Sequence, residues 1–206
     1  MHQKEIVWAG KKLKDAKRAL ILLHGRGASP EDILQLTNYL NVEDYSVLAP
    51  HATNQTWYPY SFLVSESQNE PWLSSAINLL NEIVADINAA GISNNEIYFA
   101  GFSQGACLSL EFVTRNAQRW GGVAAFSGGL IGENIKIEKY NGDFNHTPIF
   151  IGTSNPDPHI PVARVQETTA LLKSMHASVT EKIYPNMGHT ISEDEIDKAN
   201  LIIFTS

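Results

Sequence analysis

Gly101-Phe102-Ser103-Gln104-Gly105 reads G-x-S-x-G and joins a short β-prone run, Glu96 to Ala100, to a stretch of helical composition from Ala106 to Ala117. Few backbones can pass from strand to helix within so few residues. Two glycines allow a tight bend and keep side chains clear of it, which leaves the Ser103 hydroxyl standing at the end of a sheet. A serine presented in that way is suited to attack a carbonyl carbon.

The rest of the chain alternates in the same sense. Strand-like runs at Glu5–Ala9, Arg18–Leu23, Ser46–Ala49, Gly122–Phe126, Pro148–Ile151 and Val179–Tyr184 are separated by helical patterns at Pro30–Leu40, Glu70–Ala90, Val162–Met175 and from Ser192 through Ile203. Ser29 and Asp32 form a capping-box pattern at one helix start, and Ser192 and Glu195 another. Residues 51–70 read as a long aromatic-rich loop, and 130–146 show no clean period. Alternation of this kind predicts an α/β fold: a mostly parallel sheet of about six or seven strands with helices on both faces.

With 206 residues, 43 % apolar and 18 % charged, the chain can bury a sizeable core, and one domain over 1–206 is the expectation. A net charge of −7 argues against nucleic acid as a partner. The longest apolar run, Ala19 to Leu23, is too short to cross a bilayer, so no integral membrane contact is expected. The first residues lead into a strand rather than a secretory signal, and a cytoplasmic location is expected. Cys107 is the only cysteine, which excludes an internal disulfide and reads as a small core residue. A homodimer stays open.

A serine nucleophile needs a base and an acid that orients it, both in loops that follow strands on the Ser103 side. His189, in the last strand–helix loop and preceded by Gly188, is the candidate base. His24, His51 and His159 also adjoin strands, whereas His2 is terminal, His176 closes a helix and His146 precedes a strand in a loop without a clean period. Asp143, Asn155, Asp157 and Glu133 compete for the acid. Asp157 is chosen because two prolines stiffen its loop. The chain order is then Ser103, Asp157, His189, which is the α/β-hydrolase order. An oxyanion requires two backbone donors. Gln104, next after the serine, supplies one, and the His24-Gly25-Arg26-Gly27 loop supplies the other, with Arg26 preferred and Gly27 second. Trp57 and Tyr58, in the aromatic loop 56–63, are the expected apolar wall for a substrate, with His159 and Met187 adjoining it.

Five separated motifs together resemble the phospholipase/carboxylesterase family of α/β-hydrolases, which includes the acyl-protein thioesterases. They are Leu22-Leu23-His24-Gly25-Arg26-Gly27, Gly101-Phe102-Ser103-Gln104-Gly105-Ala106, Phe126-Ser127-Gly128-Gly129, Asp157-Pro158-His159-Ile160-Pro161 and Tyr184-Pro185-Asn186-Met187-Gly188-His189. They are spread over roughly residues 20 to 195, nearly the whole length of the chain. The resemblance implies a hydrolase without a cap domain and without metal or cofactor. It would act on small carboxylic esters, thioesters or lysophospholipids through Ser103, Asp157 and His189, with Arg26 and Gln104 as oxyanion donors. Many members place the acid in a G-x-x-D-P pattern; here Asn155 occupies that place and Asp-Pro follows two residues later, which implies a longer loop.

The rival readings are weaker. Gly25-Arg26-Gly27 follows a strand, but Pro30 breaks the G-x-G-x-x-G fingerprint and no ribose-binding acid follows the next strand. The histidines lack the paired spacing of a zinc site. Dienelactone-type cleavage would call for cysteine where Ser103 stands. A non-catalytic binding module on the same scaffold is the remaining alternative.

Overall fold

Seven strands form one sheet in the order β1-β3-β2-β4-β5-β6-β7 in the computed structural model, which describes residues 1–205. The strands are β1 (Ile6–Gly10), β2 (Arg18–Leu23), β3 (Tyr45–Pro50), β4 (Ile97–Phe102), β5 (Gly122–Phe126), β6 (Pro148–Asn155) and β7 (Ser178–Pro185). Only the β1–β3 pair is antiparallel; every other pair is parallel. The expected α/β architecture is therefore present, with β1 as the edge strand. The element order leaves no inserted cap domain among the described residues.

The central strands are apolar along their whole length because both faces are covered. On β2, Ala19, Ile21 and Leu23 point into one core and Leu20 and Leu22 into the other, as the two-residue period of a strand demands. The first core is closed by α3 (Trp72–Ala89), α4 (Gln104–Arg115) and α5 (Val162–Ser174), the second by α1 (Pro30–Leu34) and α6 (Glu193–Ile202). A further short helix, α2 (Glu66–Asn69), precedes α3. Both expected capping boxes form, Ser29 with Asp32 and Ser192 with Glu195.

Three element bounds differ from expectation for identifiable reasons. The helix from Pro30 stops at Leu34 and continues as a 3-10 turn over Gln35–Asn38, where the Thr37 hydroxyl donates to the Leu34 carbonyl. The long helix starts at Trp72 rather than Glu70, because a residue before proline is pushed out of helical conformation and Glu70 precedes Pro71. Its carboxylate instead accepts from the Ser74 amide and hydroxyl. Most consequentially, β6 runs to Asn155, not Ile151, since each of its residues from Pro148 pairs with one of β7 from Ser178 to Pro185. The polar run Gly152-Thr153-Ser154-Asn155 is thus strand, and the loop that carries Asp157 begins four residues later than expected.

Candidate active site

β4 ends at Phe102 and α4 begins at Gln104, so Ser103 alone makes the turn, at φ 55° and ψ −117°. A positive φ on a residue with a Cβ costs roughly 1–3 kcal/mol and persists only where the surroundings impose it. Here the Ser103 amide donates to the Phe126 carbonyl at 2.9 Å, and its carbonyl accepts from the Cys107 amide at 3.0 Å. The flanking glycines serve close approach. A Cβ on Gly105 would lie 2.1 Å from the Leu23 carbonyl oxygen, and one on Gly101 would lie 2.6 Å from Gly105 backbone. Strand-to-helix packing, rather than a left-handed bend at the glycines, is what requires them.

The three residues chosen from the sequence are within hydrogen-bond reach of one another. Ser103 Oγ is 2.8 Å from His189 Nε2, and His189 Nδ1 is 2.9 Å from Asp157 Oδ2. The Asp157 side chain is wholly buried, whereas that of His189 is partly exposed, at 17 %. Burial alone would raise the Asp157 carboxyl. The bond from His189 and those from the His159 and Ile160 amides outweigh it and hold the group below the ordinary carboxylate value. An ionised carboxylate only accepts, so Nδ1–H donates to Asp157 and Nε2 is left to accept from the Ser103 hydroxyl. Phe102 and His159 pack against the His189 ring, at centroid distances of 4.9 and 4.8 Å. Of the other candidates for the acid's place, Asn155 ends β6, Asp143 pairs with His176, and Glu133 is exposed.

Two backbone amides beside Ser103 are unengaged. Gln104 is the first residue of α4, so its N–H has no partner within the helix. In the Gly25-Arg26-Gly27 loop, the Gly27 amide donates to the Gln55 carbonyl at 2.7 Å, whereas the Arg26 amide has no partner among the described residues. Gly27 is thereby taken out of the choice left by the sequence.

A cavity of about 610 Å³ opens beside Ser103 and His189, walled by Tyr58, Pro59, Tyr60, Ser61 and Phe62, with Cys107, His159 and Ile160 also on it. Two of the expected wall residues need correction. Trp57 is fully buried and does not line the cavity: its indole donates to the His24 carbonyl at 2.9 Å and stacks on the His24 ring. Met187, half-buried in the loop ahead of His189, does not line it either. His24 is buried beneath the wall, bonded to the Ala52 amide, and His2 packs on Trp57 and Trp72. Among the described residues no three His, Cys, Asp or Glu side chains are grouped to hold a metal ion.

Several contributors escaped the sequence reading. Ser154 Oγ donates to the Pro156 carbonyl and accepts from the Gly188 amide, both at 2.9 Å, and so ties the Asp157 loop to the His189 loop. Asn69, fully buried, accepts from the Tyr60 amide and donates to the Ser61 carbonyl. The Gln104 side chain accepts from the Trp57 amide and donates to the Tyr58 carbonyl. Burial pushes the Cys107 thiol up to about 12, against the opposing effect of bonds from the Gly129 amide and Tyr58 hydroxyl. The only signal in the sequence for these groups is polar residues beside motifs, which turns share.

A family profile described as phospholipase/carboxylesterase matches residues 3–205. A crystal structure of a phospholipase/carboxylesterase from Dyadobacter fermentans superposes with a TM-score of 0.98 at 51 % identity, covering 99 % of this chain and 98 % of that one. Acyl-protein thioesterase 1 of Saccharomyces cerevisiae is 26 % identical over 208 residues, 90 % of this chain and 91 % of the relative. A probable carboxylesterase, SOBER1-like, of Arabidopsis thaliana is 29 % identical over 129 residues, which is 63 % of this chain and about half (49 %) of that protein's length. With a family match running almost end to end over this sheet and these strand-end loops, the chain belongs to the phospholipase/carboxylesterase family of α/β-hydrolases.

Proposed function

We propose that this hydrolase is a serine carboxylesterase that works through an acyl-enzyme. The observation that carries the reading is the unbroken line of short contacts from Ser103 Oγ to His189 to Asp157. Ser103 attacks the ester carbonyl carbon as His189 Nε2 takes its proton. The Arg26 and Gln104 amides hold the oxygen on which charge develops. His189 then protonates the departing alcohol, and the acyl group remains on Ser103. Water, deprotonated by the same imidazole, releases the acid and regenerates the serine. Asp157 keeps the imidazole in the required tautomer and balances its positive charge when it is protonated.

Small carboxylic esters are the substrates the cavity supports best; thioesters and lysophospholipids are the extension to test beside them. The continuous seven-stranded sheet supports reading the chain as one hydrolase domain. No helix among the described residues is long and apolar enough to cross a membrane. A cytoplasmic enzyme is proposed, and the single unpaired cysteine fits a reducing compartment.

The test is turnover of p-nitrophenyl esters of rising chain length, alongside acyl-CoA and lysophospholipid, by wild type and Ser103→Ala. The variant is expected to lose about 10⁶ in kcat. Near wild-type turnover in the variant would overturn the assignment.

A further inference from the structure

The cavity beside Ser103 carries an unusual charge pattern for this chain. The net charge is −7, yet no aspartate or glutamate lines the cavity, and the one permanently charged side chain among its lining residues is Arg26. The nearest carboxylate of the site, Asp157, is buried and engaged by His189 and two amides.

Arg26 also differs from most of the other arginines. Arg18, Arg115 and Arg164 each face a carboxylate, and Arg119, which donates to the His146 carbonyl, lies away from the cavity. Arg26 faces only neutral acceptors: Nη1 donates to Thr56 Oγ1 at 2.9 Å and to the Pro59 carbonyl at 2.8 Å, and Nη2 donates to the Tyr60 carbonyl at 2.7 Å. These bonds hold the guanidinium along the cavity wall, 5.9 Å from the centre of the Tyr58 ring. They leave its charge uncompensated. A guanidinium has five N–H donors, and Nε–H together with one hydrogen on Nη2 has no partner among the described residues. A cation already fixed in place loses little freedom when it binds, so its spare donors are preorganised for an oxyanion. The lining offers a single positive charge and no lysine, which matches a carboxylate better than a doubly charged phosphate.

We propose that the substrate is an ester bearing a carboxylate, seated on the Arg26 guanidinium beside the scissile carbonyl. The inference rests on the esterase reading above and narrows it to a substrate class.

The test uses two matched pairs. One is 4-acetoxybenzoate and its methyl ester, which place or remove a carboxylate on the alcohol side. The other is 4-nitrophenyl hydrogen terephthalate and its methyl ester, which do the same on the acyl side. In at least one pair the carboxylate ester is expected to show a KM about tenfold lower than its neutral partner, the worth of a charge-assisted bond at an exposed cation. Added salt should shrink the difference. Arg26→Gln should abolish it, and Arg26→Lys should keep part of it. Because each comparison is made within one variant, any slackening of the wall in Arg26→Gln cancels. No preference in either pair, or a preference that survives in Arg26→Gln, overturns the proposal. If none of the four esters is turned over, the esterase reading fails instead. Titration of benzoate into Ser103→Ala and into Ser103→Ala/Arg26→Gln then decides: binding that depends on Arg26 upholds the proposal, and equal or absent binding overturns it.

Discussion

Two regions meet at the cavity and are built in different ways. The ends of β4, β6 and β7 deliver Ser103, Asp157 and His189 from a sheet whose every pair is fixed by backbone register. The wall, residues 56–62, has no regular structure of its own and is held by side chains that arrive from three separate places: Arg26, Asn69 and Gln104. The first region is positioned by its neighbours in sequence and sheet, the second by contacts that span 30 residues or more for Arg26 and 46 or more for Gln104. On the proposed mechanism the chemistry would sit on the sheet-held part, and selectivity on a segment whose place depends on a few polar bonds. Arg26 and Gln104 take part in both, with a free amide at the reaction centre and a side chain on the wall.

If that division is right, changes at the strand ends should act on turnover, and changes beneath the wall on stability. The largest effect is expected for His189→Ala, a loss of about 10⁶ in kcat with the melting temperature little altered, since the triad acts as a unit. Asp157→Asn should lose about 10⁴ in kcat. The Asp157 carboxyl is held below its ordinary value when folded, so its contribution to stability is complete above the unfolded carboxyl value of about 3.9 and fades as pH falls through its own lower value. Denaturation of wild type and Asp157→Asn from neutral to acid pH should accordingly show the gap between them closing on acidification.

Trp57→Ala works the other way. The indole is fully buried beneath the wall, so the variant should lose about 3–5 kcal/mol of stability in urea titration. A change in chain-length preference with stability intact would return Trp57 to the cavity lining. Ser154→Ala, which frees the Asp157 loop from the His189 loop, should lower kcat about tenfold at unchanged KM, because it removes two bonds at one buried hydroxyl. The smallest effect concerns Cys107. With its thiol pushed up to about 12 by burial, iodoacetamide at pH 9 should label it only as fast as the protein unfolds. An unfolded thiol ionises near about 8.5, so the residue's contribution to stability should decline as pH rises above that value.

What could be read in advance follows the same division. Strand and helix alternation, the capping boxes at Ser29 and Ser192, and the residues of the five motifs are local patterns and were legible. Three things were not. The extra length of β6 is decided by its partner β7, and Gly152-Thr153-Ser154-Asn155 looks like a turn until that partner is present. The burial of Trp57 depends on His24, which is 33 residues away. The wall's anchor Asn69, which closes α2, is one polar residue among many in a stretch that reads as loop, marked only by the two backbone groups it meets in three dimensions.

The proposed mechanism requires Ser103 to form a covalent bond to the acyl group. Rapid quenching of wild type with p-nitrophenyl acetate, followed by peptide mass mapping, tests that directly. The expected result is an acetyl group on the peptide containing Ser103, released as fast as the enzyme turns over. Continued turnover with no adduct there, or with the acetyl group on another residue, would contradict it.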